Sequence, residues 1–360
     1  MKLRIGLVVV SCVLSVLTGL VLGRGVVRES DRAVDDPVRI GLSLDTLKEA
    51  RWQMDRDLLV DHARRLGAEI LVQSANSDDV TQISDVEKLL TRGVDVLVIV
   101  PHDGTAMAKA ARLATEAGVP IVAYDRLIRD AHLDLYVSFD NVRVGELQAE
   151  YLVERLGGEG RIVRIYGSKT DHNAFQYKEG QDRVLEPFIA RGDIEVVRED
   201  WADDWKPENA KKIINAAITA HGAESFDAVL ASNDGTAGGA IQALTEEGLA
   251  GDKVVTGQDA ELVACQRVVR GSQSMTVYKP LDVLASRAAE AAVNLARGGV
   301  IVADRRVDNG HEEVPALLAD VVTVTRHNMV DTVVASGFHS YDAVYRGVPE
   351  SKRPPRPEPK

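Results

Sequence analysis

The chain has almost no cysteine. Of its two residues, Cys12 lies in an apolar leader and Cys265 stands alone in the rest of the chain. The folded part therefore has no internal disulfide to form, and a lone helical cysteine reads as a small buried hydrophobe. Basic charge is also in deficit: a net charge of −12 leaves no basic stripe for nucleic acid. Eight histidines are scattered without the spacing of metal ligands. No nucleophile stands with a base at a spacing that would signal catalysis. The glycine string Gly157-Gly158-Glu159-Gly160 follows a helix, the wrong place for a phosphate loop. No metal, no cofactor and no catalytic set are expected. Carboxylates near a cleft can do acid–base work, but the sequence alone carries no such geometry.

What is present begins with a leader. Met1-Lys2-Leu3-Arg4 is basic, Ile5 to Gly23 is apolar apart from small hydroxylated residues, and a charged tract runs from Arg28 to Asp36. Residues 1–25 read as a secretory signal or a membrane anchor. Val9-Val10-Ser11-Cys12 has the letters of a lipoprotein box, set early in the apolar stretch. Cleavage, retention as an anchor and lipidation all stay open, and each puts the body of the chain outside the cytoplasm. With 360 residues and a 45% apolar share, that body can hold two domains with real cores.

From Val38 onward, strand and helix signals alternate. Val38 to Leu44, Glu69 to Ser74, Asp95 to Val100 and Pro120 to Ala123 read as strands, with helices over 51–66 and 80–91 among the connections. The rhythm resumes with strands at 135–139, 161–166, 194–198 and 227–231. Alternation of this kind implies an α/β fold of parallel sheets covered by helices. Two sets of βα units suit two lobes. A long Ala-rich helix after Lys279-Pro280 reads as a return to the first lobe. The expected division is 38–140 with 280–307 as an N-terminal lobe and 141–279 with 308–338 as a C-terminal lobe. Residues 339–360, rich in Pro and charge, are expected to be a disordered tail.

Several strands end in polar clusters: Pro101-His102-Asp103, Tyr124-Asp125-Arg126, Ser232-Asn233-Asp234 and Gly257-Gln258-Asp259. Ligands of doubly wound folds bind at the carboxyl ends of the strands. Such side chains suit a ligand covered in hydroxyls. Arg51-Trp52 follows the first strand; a guanidinium forks two hydrogen bonds and indole covers an apolar C–H face. Packing of the Trp on the core is the plainer alternative. Asn233 and Asp234 also make good helix N-caps, a role compatible with ligand binding. Two of the three tryptophans, Trp201 and Trp205, share one loop, and at least one is a candidate stacking residue.

These strings resemble the periplasmic sugar-binding proteins of bacterial ABC importers, whose fold is shared with LacI-type repressor cores. The residues that carry the likeness are Arg51-Trp52-Gln53-Met54-Asp55-Arg56-Asp57, Val72-Gln73-Ser74-Ala75-Asn76, Ala123-Tyr124-Asp125-Arg126, Ser138-Phe139-Asp140-Asn141, Ala231-Ser232-Asn233-Asp234, Gly257-Gln258-Asp259-Ala260 and Met275-Thr276-Val277-Tyr278-Lys279-Pro280. They spread over about Val38 to His339, and the pattern is nearest the members that bind D-xylose. The resemblance implies a type I periplasmic-binding-protein fold: two Rossmann-like lobes joined by a three-segment hinge, with a monosaccharide between them. It implies ligand contacts from Arg51, Trp52, Asp125, Arg126, Asn173, Trp205, Asn233, Asp259 and Lys279. It also implies a monomer that delivers its sugar to a membrane permease. Two departures stand out: His172 where the pattern has Asn, and Lys48-Glu49-Ala50 ahead of Arg51-Trp52. A membrane-anchored sugar-sensing receptor is the alternative that the leader permits. A DNA-binding regulator with the same core would need a helix-turn-helix ahead of Val38, where this chain has its apolar leader.

The leader generates a first prediction. Mass spectrometry of protein from the native envelope should find an N-terminus near Arg24, or the intact chain in the membrane fraction. Full-length protein in the cytosol is the contrary result.

Overall fold

The computed structural model describes residues 36–357. The leader, with Cys12, lies outside the described residues. The first lobe opens with β1 (Arg39–Leu44), α1 (Ala50–Arg65), β2 (Glu69–Ser74), α2 (Asp79–Thr91), β3 (Val96–Val100), α3 (Ala108–Glu116), β4 (Ile121–Tyr124) and β5 (Leu135–Phe139). The second follows with α4 (Asn141–Leu156), β6 (Gly160–Tyr166), α5 (His172–Arg191), β7 (Ile194–Trp201), α6 (Pro207–His221), β8 (Ala228–Ala231), α7 (Asp234–Glu246), β9 (Val254–Val255), α8 (Leu262–Arg270) and β10 (Thr276–Tyr278). The chain then returns through α9 (Leu281–Ala296), β11 (Arg305–Asp308) and β12 (Glu313–Ala319), and ends with β13 (Val322–Val324), a π-helical turn (Val330–Val334) and α10 (Tyr341–Val344).

Local chemistry explains these boundaries. Asp78, Asp140, Asp171 and Asn233 each precede a helix and accept a backbone N–H from its first turn. The β3 strand, Val-Leu-Val-Ile-Val, is buried along its whole length, as a central parallel strand covered on both faces must be. The first sheet runs β11-β12-β5-β4-β3-β1-β2, parallel except for β11 against β12. The second runs β7-β6-β8-β9, all parallel. Strands β10 and β13 pair antiparallel in a small ribbon of their own. The chain thus passes between lobes three times, at β5 to α4, at β10 to α9 and at β12 to β13. Helix α9 does return to the first lobe: Leu281, Leu284, Ala285 and Ala288 join the core of Ile40, Leu42, Leu59 and Val98.

Two expectations are corrected. The return segment does not leave the first lobe at 307. It adds β12 beside β5, with Ala316 opposite Tyr136 and Ala319 opposite Phe139, so the first lobe extends to Ala319. Buried Val314 and Ala316 drive this pairing, although Pro315 between them hides the strand signal. The tail is also ordered through most of its length. Tyr341, Val344, Tyr345 and Val348, spaced as one helical stripe, are buried against Cys265 and Val268 of α8. Tyr341 Oη donates to the Pro354 carbonyl at 2.6 Å, and Arg353 Nε to that of Val348 at 2.7 Å. Of the tail, only 358–360 lie outside the described residues.

Helices α4 and α5 approach so closely that only glycine fits at the crossing. A Cβ on Gly180 would stand 1.9 Å from the Val142 carbonyl oxygen, and one on Gly145 2.0 Å from that of Tyr177. Gly180→Ala should therefore push the helices apart and cost about 1–3 kcal/mol. Denaturant unfolding checks this: an unchanged midpoint would mean that the helices part without cost.

Candidate functional site

The site is built on two aspartates at equivalent places. Asp125 follows β4 and Asp259 follows β9, and both have left-handed backbones, φ 61° and 100°. This conformation is uncommon without glycine and recurs at functional sites. The surroundings hold it. Asp125 N donates to Val137 O at 2.8 Å, and Asp259 N to Val277 O at 2.8 Å. The Asp125 carbonyl accepts from Ser138 Oγ at 2.6 Å, Tyr136 Oη at 3.0 Å and Asn173 Nδ2 at 3.0 Å.

Two cations meet these carboxylates. Arg51, in the first turn of α1, is paired with Asp125, with Asp55 at 3.3 Å and with Asp259 at 3.4 Å. Lys279, just past β10, lies 2.9 Å from Asp259 and 3.9 Å from Asp125. The two lobes are therefore in contact through Arg51 and Asp259. Burial alone would raise the pKa of Asp125, but Arg51 and Lys279 outweigh it and hold the carboxyl below its ordinary range. Asp55 is wholly buried, and burial pushes it up to about 6 against the pull of Arg51. Burial and the charge of Asp259 push Glu261 up to about 7.

Arg126, the third cation, sits between lobes. Its Nη1 donates to Asp45 at 2.9 Å and to the Pro101 carbonyl at 3.1 Å. Its Nε lies 3.1 Å from Asp171 of the second lobe. Asp45 is held in turn by His102, whose Nδ1 stands 3.0 Å away. That hydrogen bond raises the pKa of His102. The same Asp171 accepts from Trp205 Nε1 at 3.2 Å. Gly167 makes room for this indole: a Cβ there would fall 2.0 Å from Trp205 Cη2.

The aromatic groups divide. Trp52 is buried, with the guanidinium carbons of Arg51 and Arg126 at 4.4 Å and 5.1 Å from its ring centroid. It is at once part of the first-lobe core and part of this cluster. Trp205 packs edge-on to Tyr177, 6.2 Å between centroids. Trp201 instead joins Tyr166 at 4.9 Å and Phe175 at 4.7 Å.

Of the nine residues singled out in the sequence, Arg51, Trp52, Asp125, Arg126, Asn173, Asp259 and Lys279 are joined by direct contacts, and Trp205 enters through Asp171. Asn233 stands apart. Its side-chain oxygen caps α7, accepting from Thr236 N at 2.8 Å, while Nδ2 has no partner among the described residues. A Cβ on Gly235 would lie 3.6 Å from that Nδ2 and 3.9 Å from the Trp205 carbonyl, which places Asn233 beside the Trp205 loop. Asp234 turns inward, accepting from Gln273 at 2.7 Å and Thr276 at 2.9 Å. Sequence reasoning missed Asp45, Asp55 and Asp171 as members of the cluster. Asp45 could have been found, because it ends β1 as Asp125 ends β4.

A profile described as a periplasmic binding protein domain matches residues 40–299. The chain belongs to that family. The D-xylose-binding periplasmic protein of Haemophilus influenzae is 47% identical over 316 residues, covering 88% of this chain and 95% of that protein. The D-xylose-binding periplasmic protein of Escherichia coli is 47% identical over 302 residues, covering 84% and 91%. Among solved structures, a carbohydrate transporter solute binding protein from Chloroflexus aurantiacus, in complex with D-glucose, matches with a TM-score of 0.80 at 34% identity. The match covers 86% of this chain and 98% of that one. The family is one of binding proteins rather than enzymes. Among the described residues no helix is long and apolar enough to cross a membrane, and no group of side chains is arranged to hold a metal ion.

The geometry around Arg126 separates affinity from stability. Arg126→Lys keeps a cation between Asp45 and Asp171 but loses the planar fork. It should weaken ligand binding at least tenfold, about 1.4 kcal/mol, with little change in melting temperature. Arg126→Ala strands two buried carboxylates and should lower the melting temperature as well. Calorimetric titration with differential scanning of both variants checks this; wild-type affinity in Arg126→Lys would show that charge alone suffices.

Proposed function

We propose that this protein binds a monosaccharide between its lobes, D-xylose before other aldoses, and delivers it to the permease of an ABC importer in the periplasm. The observation that carries this reading is the cluster itself. Arg51, Asp125 and Arg126 of one lobe face Asp259, Asn173 and Asp171 of the other, with Lys279 at the crossing between them. The two D-xylose-binding relatives, each at 47% identity, support the choice of sugar.

The chemistry suits a pyranose. Each sugar hydroxyl both donates and accepts. Asp125 and Asp259 take the donated protons; Arg51, Arg126, Lys279, Asn173 and Asn233 supply hydrogens to the oxygens. Trp52 and Trp205 offer ring faces to the C–H surfaces. Only a closed arrangement contacts the sugar from both sides, so binding shifts the lobe equilibrium towards closure. A micromolar dissociation constant corresponds to about 8 kcal/mol. Several hydrogen bonds to charged groups, roughly 1.5–3 kcal/mol each, reach that after the costs of ordering. The closed outline is then what a permease would recognise.

Calorimetric titration against a panel of pentoses and hexoses tests the reading. D-xylose should give the lowest dissociation constant and should be recovered unchanged. A protein that gives neither heat nor a melting shift with any aldose would refute it; conversion of the sugar would refute the binding-only part.

A further inference from the structure

Outside the sugar-facing cluster, one side-chain contact crosses the lobes at the rim. Arg129, in the connection after β4, points its Nη1 at Nδ1 of His172, the first residue of α5, 3.1 Å away. Beside it Gly104 N of the first lobe donates to the Thr170 carbonyl of the second at 3.2 Å. Both contacts border a cavity of about 350 Å³ that is also lined by Asp103, Thr105, Lys169 and Phe175. A guanidinium has hydrogen-bond donors and no acceptor. The imidazole nitrogen facing it must therefore accept. Nδ1 can accept only when it carries no proton, so this contact exists only with a neutral ring.

We infer that Arg129 and His172 form a latch across the lobes, next to the sugar-facing residues Asp171 and Asn173, that closes only around a neutral His172 and so weakens sugar binding when the ring takes up a proton. The inference rests on reading the cleft as a sugar site that closes.

The surroundings agree with this direction. Arg129 from the first lobe and the ring of Phe175, 6.4 Å away, face the imidazole, and the charges of Asp308 on β11 and Glu179 farther along α5 also act on it. Lys169 and Asp103 line the same cavity. Burial lowers the pKa of His172 and Arg129 lowers it further, against smaller opposing pulls from Glu179 and Asp308. In an open cleft Arg129 moves away with its lobe, and the ring returns towards the ordinary value of about 6.5. Closure then expels a proton. The latch contributes fully above the open-state pKa and is lost progressively as pH falls from there through the lower closed-state pKa. For an ordinary open-state pKa, the loss at pH 5.5 is bounded at roughly tenfold.

The test is D-xylose titration of the protein from its native envelope at pH 7.5 and 5.5, wild type beside His172→Asn. The Asn amide oxygen accepts much as Nδ1 does and does not titrate. His102 also titrates near the site, but it faces Asp45 within its own lobe and is present in both proteins, so it cancels in the comparison. Wild type should lose several-fold in affinity between the two pH values. His172→Asn should bind comparably at pH 7.5 and lose clearly less at 5.5. In buffers of differing ionisation enthalpy near pH 6.5, wild type should release more protons on binding than the variant. Binding with the same pH profile in both proteins overturns the latch alone. Absence of binding to any aldose at pH 7.5 overturns the sugar reading and the latch with it.

Discussion

A buried guanidinium must be paired, and the arrangement of this cleft follows from that requirement. Arg51 is mostly withdrawn from water at the start of α1, and it is shared by Asp55, Asp125 and Asp259. Leaving any of these charges buried and unpartnered would be strongly destabilising. The pairing therefore dictates where two strands must end and how the backbone turns there. It also explains why Asp125 and Asp259 keep a left-handed conformation: their carboxylates have to reach one cation from opposite lobes. The hydrogen bonds of Ser138, Tyr136 and Asn173 to the Asp125 carbonyl fix that turn from behind. A ligand that enters between the lobes has to offer these groups equivalent partners.

The balance of charge says which ligands can do so. Arg51, Arg126 and Lys279 are surrounded by Asp45, Asp55, Asp125, Asp171 and Asp259. Carboxylates outnumber cations even before Glu261 is counted. An anionic ligand would have to displace one of these carboxylates from its cation; a neutral polyol does not. The excess thus argues for uncharged sugars over sugar acids or phosphates. Burial relieves part of it, because Asp55 and Glu261 are pushed to about 6 and 7 and carry less than full charge near neutrality.

Much of this was legible in the sequence, for identifiable reasons. Buried parallel strands are continuous apolar runs, and their polar ends announce the crevice; Asp125, Arg126 and Asp259 were found that way. Arg51 and Trp52 were visible as a cation beside an aromatic after the first strand. Less legible was anything that depends on a second segment. Asp55 shares a helical face with Leu59, but its partner Tyr124 comes from another strand. Asp171 caps α5 and also meets Arg126 and Trp205, contacts that no local pattern shows. That the Trp205 ring lies over Gly167 while Trp201 packs on Tyr166 and Phe175 is something no local pattern encodes. Strand β12 was hidden by Pro315, and the tail by its charges, although its buried stripe of Tyr341, Val344, Tyr345 and Val348 has ordinary helical spacing.

The threefold passage of the chain between lobes bears on how the molecule is made. The core of the first lobe includes Ile40 and Leu59 from near the start of the described chain and Leu284, Ala288 and Ala319 from near its end. Its sheet is incomplete until β12 has been added beside β5. Nearly the whole polypeptide must therefore emerge from the ribosome before this lobe can close. Long sequence separations of this kind slow folding, because chain entropy is lost before contacts compensate it. For a protein bound for the periplasm, such lateness is useful: the polypeptide stays unfolded, and able to thread through a narrow channel, for as long as its carboxyl end is still being made.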